Sequence, residues 1–326
     1  MRVIRVIVAI VLTLGLLYVA RITSEGRPEY REHTENGFHF KKITVPKAPA
    51  DSLATIPLNI TGPLSDSVVP VLRYYRAQYG EPAPESPNRY DTRPLTLIDS
   101  IENLYQVQLR TASRGYRHYY WFEIRDHTGG LRARFADDGN QPFVLKHIGH
   151  VPNWVLVPHV VFMFATVFCI MLATVFAVRL VFGSQEVRPM AKLLMWSLVF
   201  VFLGGYPFGW GMNYYAFGTI WEGVPFGTDA TDNKTQLLFV YLVFMVLASR
   251  GSLKHGLTME NLYSPRVLGL LGLVTLGLML AIYLIPHSIQ FSPELTRTVC
   301  YTFIGIVGLM LLIPWVSRKA KRVRRP

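Results

Sequence analysis

The sequence predicts an α-helical membrane bundle of six spans that carries an extracytoplasmic all-β sandwich. Three observations lead there. Apolar residues make up 51% of the 326 positions and the mean hydropathy is +0.27, values of a polytopic membrane protein with one soluble domain. Six apolar runs punctuate the chain, and between the first two lies a long stretch of short extended segments. The net charge of +12 falls entirely on one side of the topology those runs imply.

The elements follow in order. Arg2 and Arg5 precede the apolar run Val6 to Ala20, which Arg21 closes. A signal peptide has this layout, but Val19-Ala20-Arg21 is not a small-x-small cleavage site, so residues 1–21 read as an uncleaved anchor. Residues 22–53 are polar, carry Pro28, Pro46 and Pro49, and read as a linker. Extended runs then recur over 54–150: Ala54–Thr61, Val68–Tyr79, Arg93–Ile98, Leu104–Thr111, Tyr116–Asp126, Leu131–Ala136 and Pro142–His147. Within the fifth run Tyr116, His118, Tyr120, Phe122 and Ile124 share one face, the period of two of a half-buried strand. Asp126-His-Thr-Gly-Gly130 makes the next turn. About seven such strands suit an immunoglobulin-like sandwich.

Residues 151–318 read as five transmembrane helices. Their apolar segments are 155–182, 191–205, 236–249, 267–285 and 299–316. The third is short for a span, but it reaches sufficient length if extended back to Asp232, with Asp232 or Thr231 as N-cap. Glycines 269, 272 and 277 in the fourth are expected to permit close helix packing. Cys169 and Cys300 lie inside apolar runs and read as small buried hydrophobes. The tail 319–326 is basic and adjoins the last span, as a topology signal and a contact for anionic lipid.

With the N-terminus inside, the cytoplasmic segments hold fourteen basic and two acidic residues, and the other side holds nineteen of each. This is the positive-inside pattern. It places both termini in the cytoplasm and residues 22–154 outside, periplasmic in a bacterial inner membrane. It also removes the argument for nucleic acid that the net charge alone would make.

Function is sought in the stretch 206–234, within Gly204 to Thr235, which is dense in glycine, proline and aromatics. It is too irregular for one helix and too apolar for a solvated loop, and it holds Trp210, Trp221, Glu222, Asp229 and Asp232. Irregular backbone at membrane depth lies against protein or lines a cavity. His159 and His287, each following a proline, fall at helix ends on the same outer side. Ionisable groups there need partners, and a neutral imidazole is an axial ligand for haem iron. The plainer alternatives are interfacial histidines bonded to backbone, an aromatic belt, helix capping by the acids and an ion pair of Lys234 with Asp232 or Glu222. Calcium on Glu222, Asp229, Asp232 and Asn233 lacks the spacing of an EF-hand. His150 is a substitute for His159, whereas His255 lies on the inner side. No signature of a hydrolase, zinc protease, nucleotide loop or c-type haem attachment occurs, and no bond-making chemistry is implied. A transporter would need more polar residues at mid-depth.

The order of histidine, two crossings, aromatic-acidic loop, two crossings and histidine resembles the haem-handling membrane proteins of cytochrome c maturation. In layout the resemblance spans His159 to His287. It departs from that family in the loop, where phenylalanine and glycine replace tryptophans and Asp229 follows Thr228. It implies b-type haem with His159 and His287 on the iron and Trp210, Trp221, Glu222, Asp229 and Asp232 around it. A periplasmic or membrane partner, such as a cytochrome in an electron-transfer complex, would dock on the sandwich. The runs Val71-Leu-Arg-Tyr-Tyr-Arg and Tyr119-Tyr-Trp-Phe-Glu-Ile-Arg-Asp resemble bacterial immunoglobulin-like and fibronectin-like domains, which are scaffolds or docking modules. Trp221 to Lys234 and Tyr283-Leu-Ile-Pro-His-Ser also resemble stretches of bacterial membrane proteins of unassigned function. The competing expectation is a cofactor-free accessory or assembly subunit of a membrane complex.

Overall fold

A computed structural model describes residues 2–24, 30–64, 67–78, 80–137, 141–253, 260–285 and 291–323. The chain divides into two compact units. One comprises Met1–Glu25, Asn153–Met212 and Ile220–Pro326, and the other Gly26–Pro152 with Asn213–Thr219.

The second unit holds the β-strands, all of them within Gly26–Pro152. Its strands are β1 (Tyr30–Glu35), β2 (Phe38–Ile43), β3 (Lys47–Pro49), β4 (Leu53–Thr61), β5 (Val68–Gln78), β6 (Asp91–Pro94), β7 (Thr96–Asp99), β8 (Leu104–Arg110), β9 (Tyr116–Asp126), β10 (Leu131–Phe135) and β11 (Phe143–Ile148). They form two sheets, in the orders β1-β2-β4-β8-β7 and β3-β11-β9-β5-β6, with β10 also on β9. Alternation puts Ile56, Leu58 and Ile60 of β4 and Phe38 and Phe40 of β2 into a core shared with Leu72, Tyr120, Phe122, Ile124, Phe135 and Phe143. Each such side chain contributes ~1.5–3 kcal/mol on burial.

Three expectations change here. The stretch 22–53 expected as a linker carries β1, β2 and β3. The expected run Arg93–Ile98 is two strands, one in each sheet, with buried Leu95 at the crossing. Strand β9 is buried on both faces, since Tyr119 and Trp121 pack with Tyr90 and Ala77 on the side away from the core. Glu123 is also buried there, 1% exposed. It accepts from Trp121 Nε1 at 2.7 Å, from Arg125 Nε at 2.7 Å and from Arg134 at 3.2 Å. Burial alone would raise its pKa, but these donors hold the carboxyl below its ordinary value.

The helical unit contains α1 (Arg2–Ser24), α2 (Asn153–Val181), α3 (Arg188–Leu203), a π-helical turn Gly204–Phe208, the start of α4 (Gly209–Phe217), α5 (Ala230–Ala248), α6 (Arg250–Leu253), α7 (Pro265–Leu284) and α8 (Pro293–Val323). Helix α2 packs on α1, α3 and α7, and α5 packs on α3, α7 and α8. Gly269 makes the α2–α7 approach possible, because a Cβ there would lie 2.8 Å from the Ala177 carbonyl oxygen. Gly272 does the same against Ala177 and Met190, whereas Gly277 faces open space. The close-packing expectation therefore holds for two of the three glycines.

Among the described residues four helices, not six, are long and apolar enough to cross a membrane: 153–181, 188–217, 265–284 and 293–314. The apolar part of α1 is shorter, Val6–Ile22. Helix α5 begins with Asp232, Asn233 and Lys234 in its first turns, which lowers its apolar content.

Candidate functional site

The first half of the key stretch is helical, contrary to the expectation of irregular backbone. Pro207 has no N–H to donate, and the chain widens into the π turn Gly204–Phe208 around it before resuming as α4. Such single turns absorb a helix defect and recur at functional positions. The two glycines of the turn are packing residues. A Cβ on Gly205 would lie 2.4 Å from Thr235 Cγ2, and one on Gly204 would lie 3.0 Å from Phe162 Cβ.

His159, half-buried on α2, points at this turn. Its Nδ1–H donates to the Gly204 carbonyl oxygen at 2.9 Å. A carbonyl only accepts, so the bond places the ring proton of the neutral imidazole on Nδ1 and leaves the Nε2 lone pair. Two residues further, Tyr206 is the centre of an aromatic cluster. It stacks on Trp221 with centroids 5.5 Å apart and 12° between planes. It meets Trp210 edge-on at 5.8 Å and Phe239 at 5.0 Å. Tyr206 thus joins the two tryptophans singled out from sequence. The rings touch one another, so no planar ligand fits between Tyr206 and Trp221.

The irregular segment is Gly218–Asp229, and Asp229 together with Asp232 and Asn233 of α5 ties it down by hydrogen bonds. Asp229, not Asp232 or Thr231, is the N-cap of α5: its Oδ1 accepts from Thr231 N at 2.8 Å and Asp232 N at 3.1 Å. Asp232 reaches back and accepts from Glu222 N at 2.7 Å. Asn233 Oδ1 accepts from Val224 N at 2.9 Å, and its Nδ2 donates to Asp229 O. Asp229 N closes the loop on Glu222 O at 2.8 Å. Asp232 and Asn233 are both buried, at 8% and 3% exposure, which such bonding makes tolerable. Lys234 Nζ donates to Ile285 O at 2.9 Å, at the C-terminal end of α7. Tyr283, two residues earlier on the same helix, donates to Met163 O of α2.

Trp210 and Trp221 therefore share the Tyr206 ring cluster, Asp229 and Asp232 share one set of hydrogen bonds with the backbone of Glu222, and His159 bonds to the turn that carries Tyr206. His287 lies outside the described residues, as does His255. His150 belongs to the β unit, where it lines an open cleft of about 770 Å³ with Lys47, Asp51, Arg114 and Tyr215. Among the described residues no group of three or more His, Cys, Asp or Glu is placed to hold a metal ion. Sequence reasoning overlooked the central role of Tyr206 and the Gly204 carbonyl. Only Pro207 inside an otherwise apolar helical run signalled the widened turn.

No protein-family model matches the chain, and no curated protein matches it.

Proposed function

We propose that the chain is a multi-pass bacterial inner-membrane protein that works through its β unit, an immunoglobulin-like sandwich presented at the periplasmic side. In this reading it is an accessory or assembly subunit that docks a partner, and 206–234 is an architectural connector. The observation that carries it is the bonding of that connector: Asp229, Asp232 and Asn233 accept from backbone amides of their own segment. Carboxylates committed to buried N–H groups are expensive to redirect toward a ligand. The accompanying topology has α1 and α5 as two further crossings, six in all, with both termini cytoplasmic and residues 22–154 outside. The one-sided charge excess supports it.

A second reading, b-type haem near His159 and His287, is favoured by one observation. The bond from Nδ1–H to Gly204 O orients the His159 ring and leaves Nε2 as donor, as in metal-ligating histidines. The rest of the set fits poorly. Haem propionates are anions, and Glu222, Asp229 and Asp232 would oppose them, while Trp221 is already stacked on Tyr206. Full-length protein purified from native membranes in mild detergent separates the two. The docking reading predicts no haem absorption and a stoichiometric partner. A reduced-minus-oxidised Soret and α-band signal that disappears in His159→Ala overturns it.

A further inference from the structure

A second concentration of charge lies wholly within the β unit. Along the inner face of β5 and β9 the core row runs Leu72, Tyr74 and Arg76 on one strand and Phe122, Tyr120 and His118 on the other. The apolar row therefore ends in a cationic and an imidazole side chain facing each other across the strands. Around them a pocket of about 390 Å³ is lined by Arg76, Arg89, Arg93, Arg110, Asp91 and His118, with Tyr74 and Tyr75. That is the size range of a small-molecule site.

Two of the four guanidinium groups are held by aromatic rings, and among the described residues none of the four is in a salt bridge. Arg89 lies over the Tyr75 ring at 5.4 Å, and Arg93 lies over Tyr74 at 5.9 Å while donating to Gln108 O at 2.9 Å. Each guanidinium has five N–H donors, so most remain unused. The ion pairs of the β unit among the described residues involve other cations: Arg31, Lys41, Arg125, Arg132 and Arg134. None of the four pocket arginines takes part.

His118 supplies a neutral donor. Ala112 N–H donates to His147 Nδ1 at 3.1 Å, so the His147 proton sits on Nε2. That nitrogen lies 3.0 Å from His118 Nδ1 and donates to it. The proton of His118 is thereby assigned to Nε2. Burial, reinforced by His147, Arg76 and Arg93, pushes the His118 pKa down to about 3, and burial likewise pushes that of His147 to about 4. The pair is neutral at physiological pH, and the pocket's positive charge comes from the guanidinium groups alone.

We propose that this pocket binds a phosphate monoester, with Arg76, Arg89, Arg93 and Arg110 as its guanidinium clamp, His118 as a neutral N–H donor and Asp91 as acceptor for a neighbouring hydroxyl of the ester. Guanidinium forks match phosphate oxygens in pairs. One carboxylate at the rim favours an ester that carries a hydroxyl over a bare, more highly charged polyanion. The same chemistry occurs in a free phosphate ester and in a lipid headgroup. The site is independent of whether the helical unit holds haem.

The test uses the full chain in non-ionic detergent at physiological ionic strength, where loose surface attraction is screened. Glycerol 3-phosphate, or mixed micelles containing lysophosphatidic acid, which keeps a hydroxyl beside its phosphate monoester, is titrated while melting temperature and binding isotherm are followed. At least one probe is expected to bind saturably and raise the melting temperature. A response to glycerol 3-phosphate alone assigns a free ester, and a response to lysophosphatidic acid micelles alone assigns a headgroup. The pair Arg76→Gln/Arg110→Gln alters exposed side chains and is expected to weaken binding ~10-fold or more with the unliganded melt unchanged. Asp91→Asn is expected to reduce the preference for glycerol 3-phosphate over inorganic phosphate where the free ester binds. No saturable response to either probe in the wild type, or undiminished binding in the arginine pair, overturns the proposal.

Discussion

The connector ahead of α5 and the arginine pocket of the β unit are both polar places beside apolar cores, and they treat charge in opposite ways. In the connector, Asp229 and Asp232 each meet backbone N–H groups at hydrogen-bond distance, and Lys234 meets a helix-end carbonyl. In the pocket, four guanidinium groups and the Asp91 carboxylate line the space beside a neutral histidine pair, and among the described residues none of the four cations is in a salt bridge. The first arrangement stabilises the fold with what it has. The second leaves donors available and is stable because its arginines remain exposed to water. Polar density alone is therefore a poor guide to a binding site, and unused hydrogen-bonding capacity is a better one.

That contrast can be broken by substitution. The largest effect is expected where buried charge is fully matched. Glu123→Ala strands Trp121, Arg125 and Arg134 and should destabilise the β unit by ~3 kcal/mol or more, seen as an early transition in a denaturant or thermal melt. A normal melt would remove the distinction between matched and available charge. Next comes pH. His118 and His147 have folded-state pKa values of about 3 and 4, below the ordinary histidine value, so the unfolded chain takes up protons first. Their contribution is complete above pH ~6.5 and is lost as pH falls, by roughly 2–4 kcal/mol at pH 5. A His118→Phe variant should show a flatter stability profile over that range.

Smaller effects sharpen the comparison. Asp229→Ala removes the α5 cap and should cost ~1 kcal/mol, read as a shift in melting temperature without loss of any ligand response. Smallest is Arg76→Gln/Arg110→Gln, expected to change unliganded stability by no more than ~0.5 kcal/mol. A large destabilisation there would mean the arginines are structural after all.

Much of the β unit was legible from alternation. The limits expected for β4, β8 and β9 agree with those observed to within a residue, since period-two burial imposes the same pattern on sequence and structure. Strand β2 escaped notice because its inward row is Phe38, Phe40 and Lys42. A lysine at a core position breaks the pattern, yet its ammonium sits 4.6 Å from the Phe143 ring centroid and its stem is buried. Burial lowers its pKa to about 8. In the helical unit, hydrophobic runs located α2, α7 and α8, whereas Pro207 argued for a break that the π turn instead absorbs. The linkage of Trp210, Trp221 and Asp232 into one region was foreseeable from their proximity in sequence. The arginine pocket was not, because Arg76, Arg89, Arg93 and Arg110 come from four elements or turns that only the two-sheet topology gathers.

The most direct test compares the two places in one binding experiment on the full chain, with whichever of glycerol 3-phosphate or lysophosphatidic acid micelles binds the wild type. Asp232→Asn, altered in the connector, should bind like the wild type, and Arg76→Gln/Arg110→Gln should bind ~10-fold or more weakly. Binding lost in Asp232→Asn and kept in the arginine pair would contradict the assignment of architecture to one place and recognition to the other.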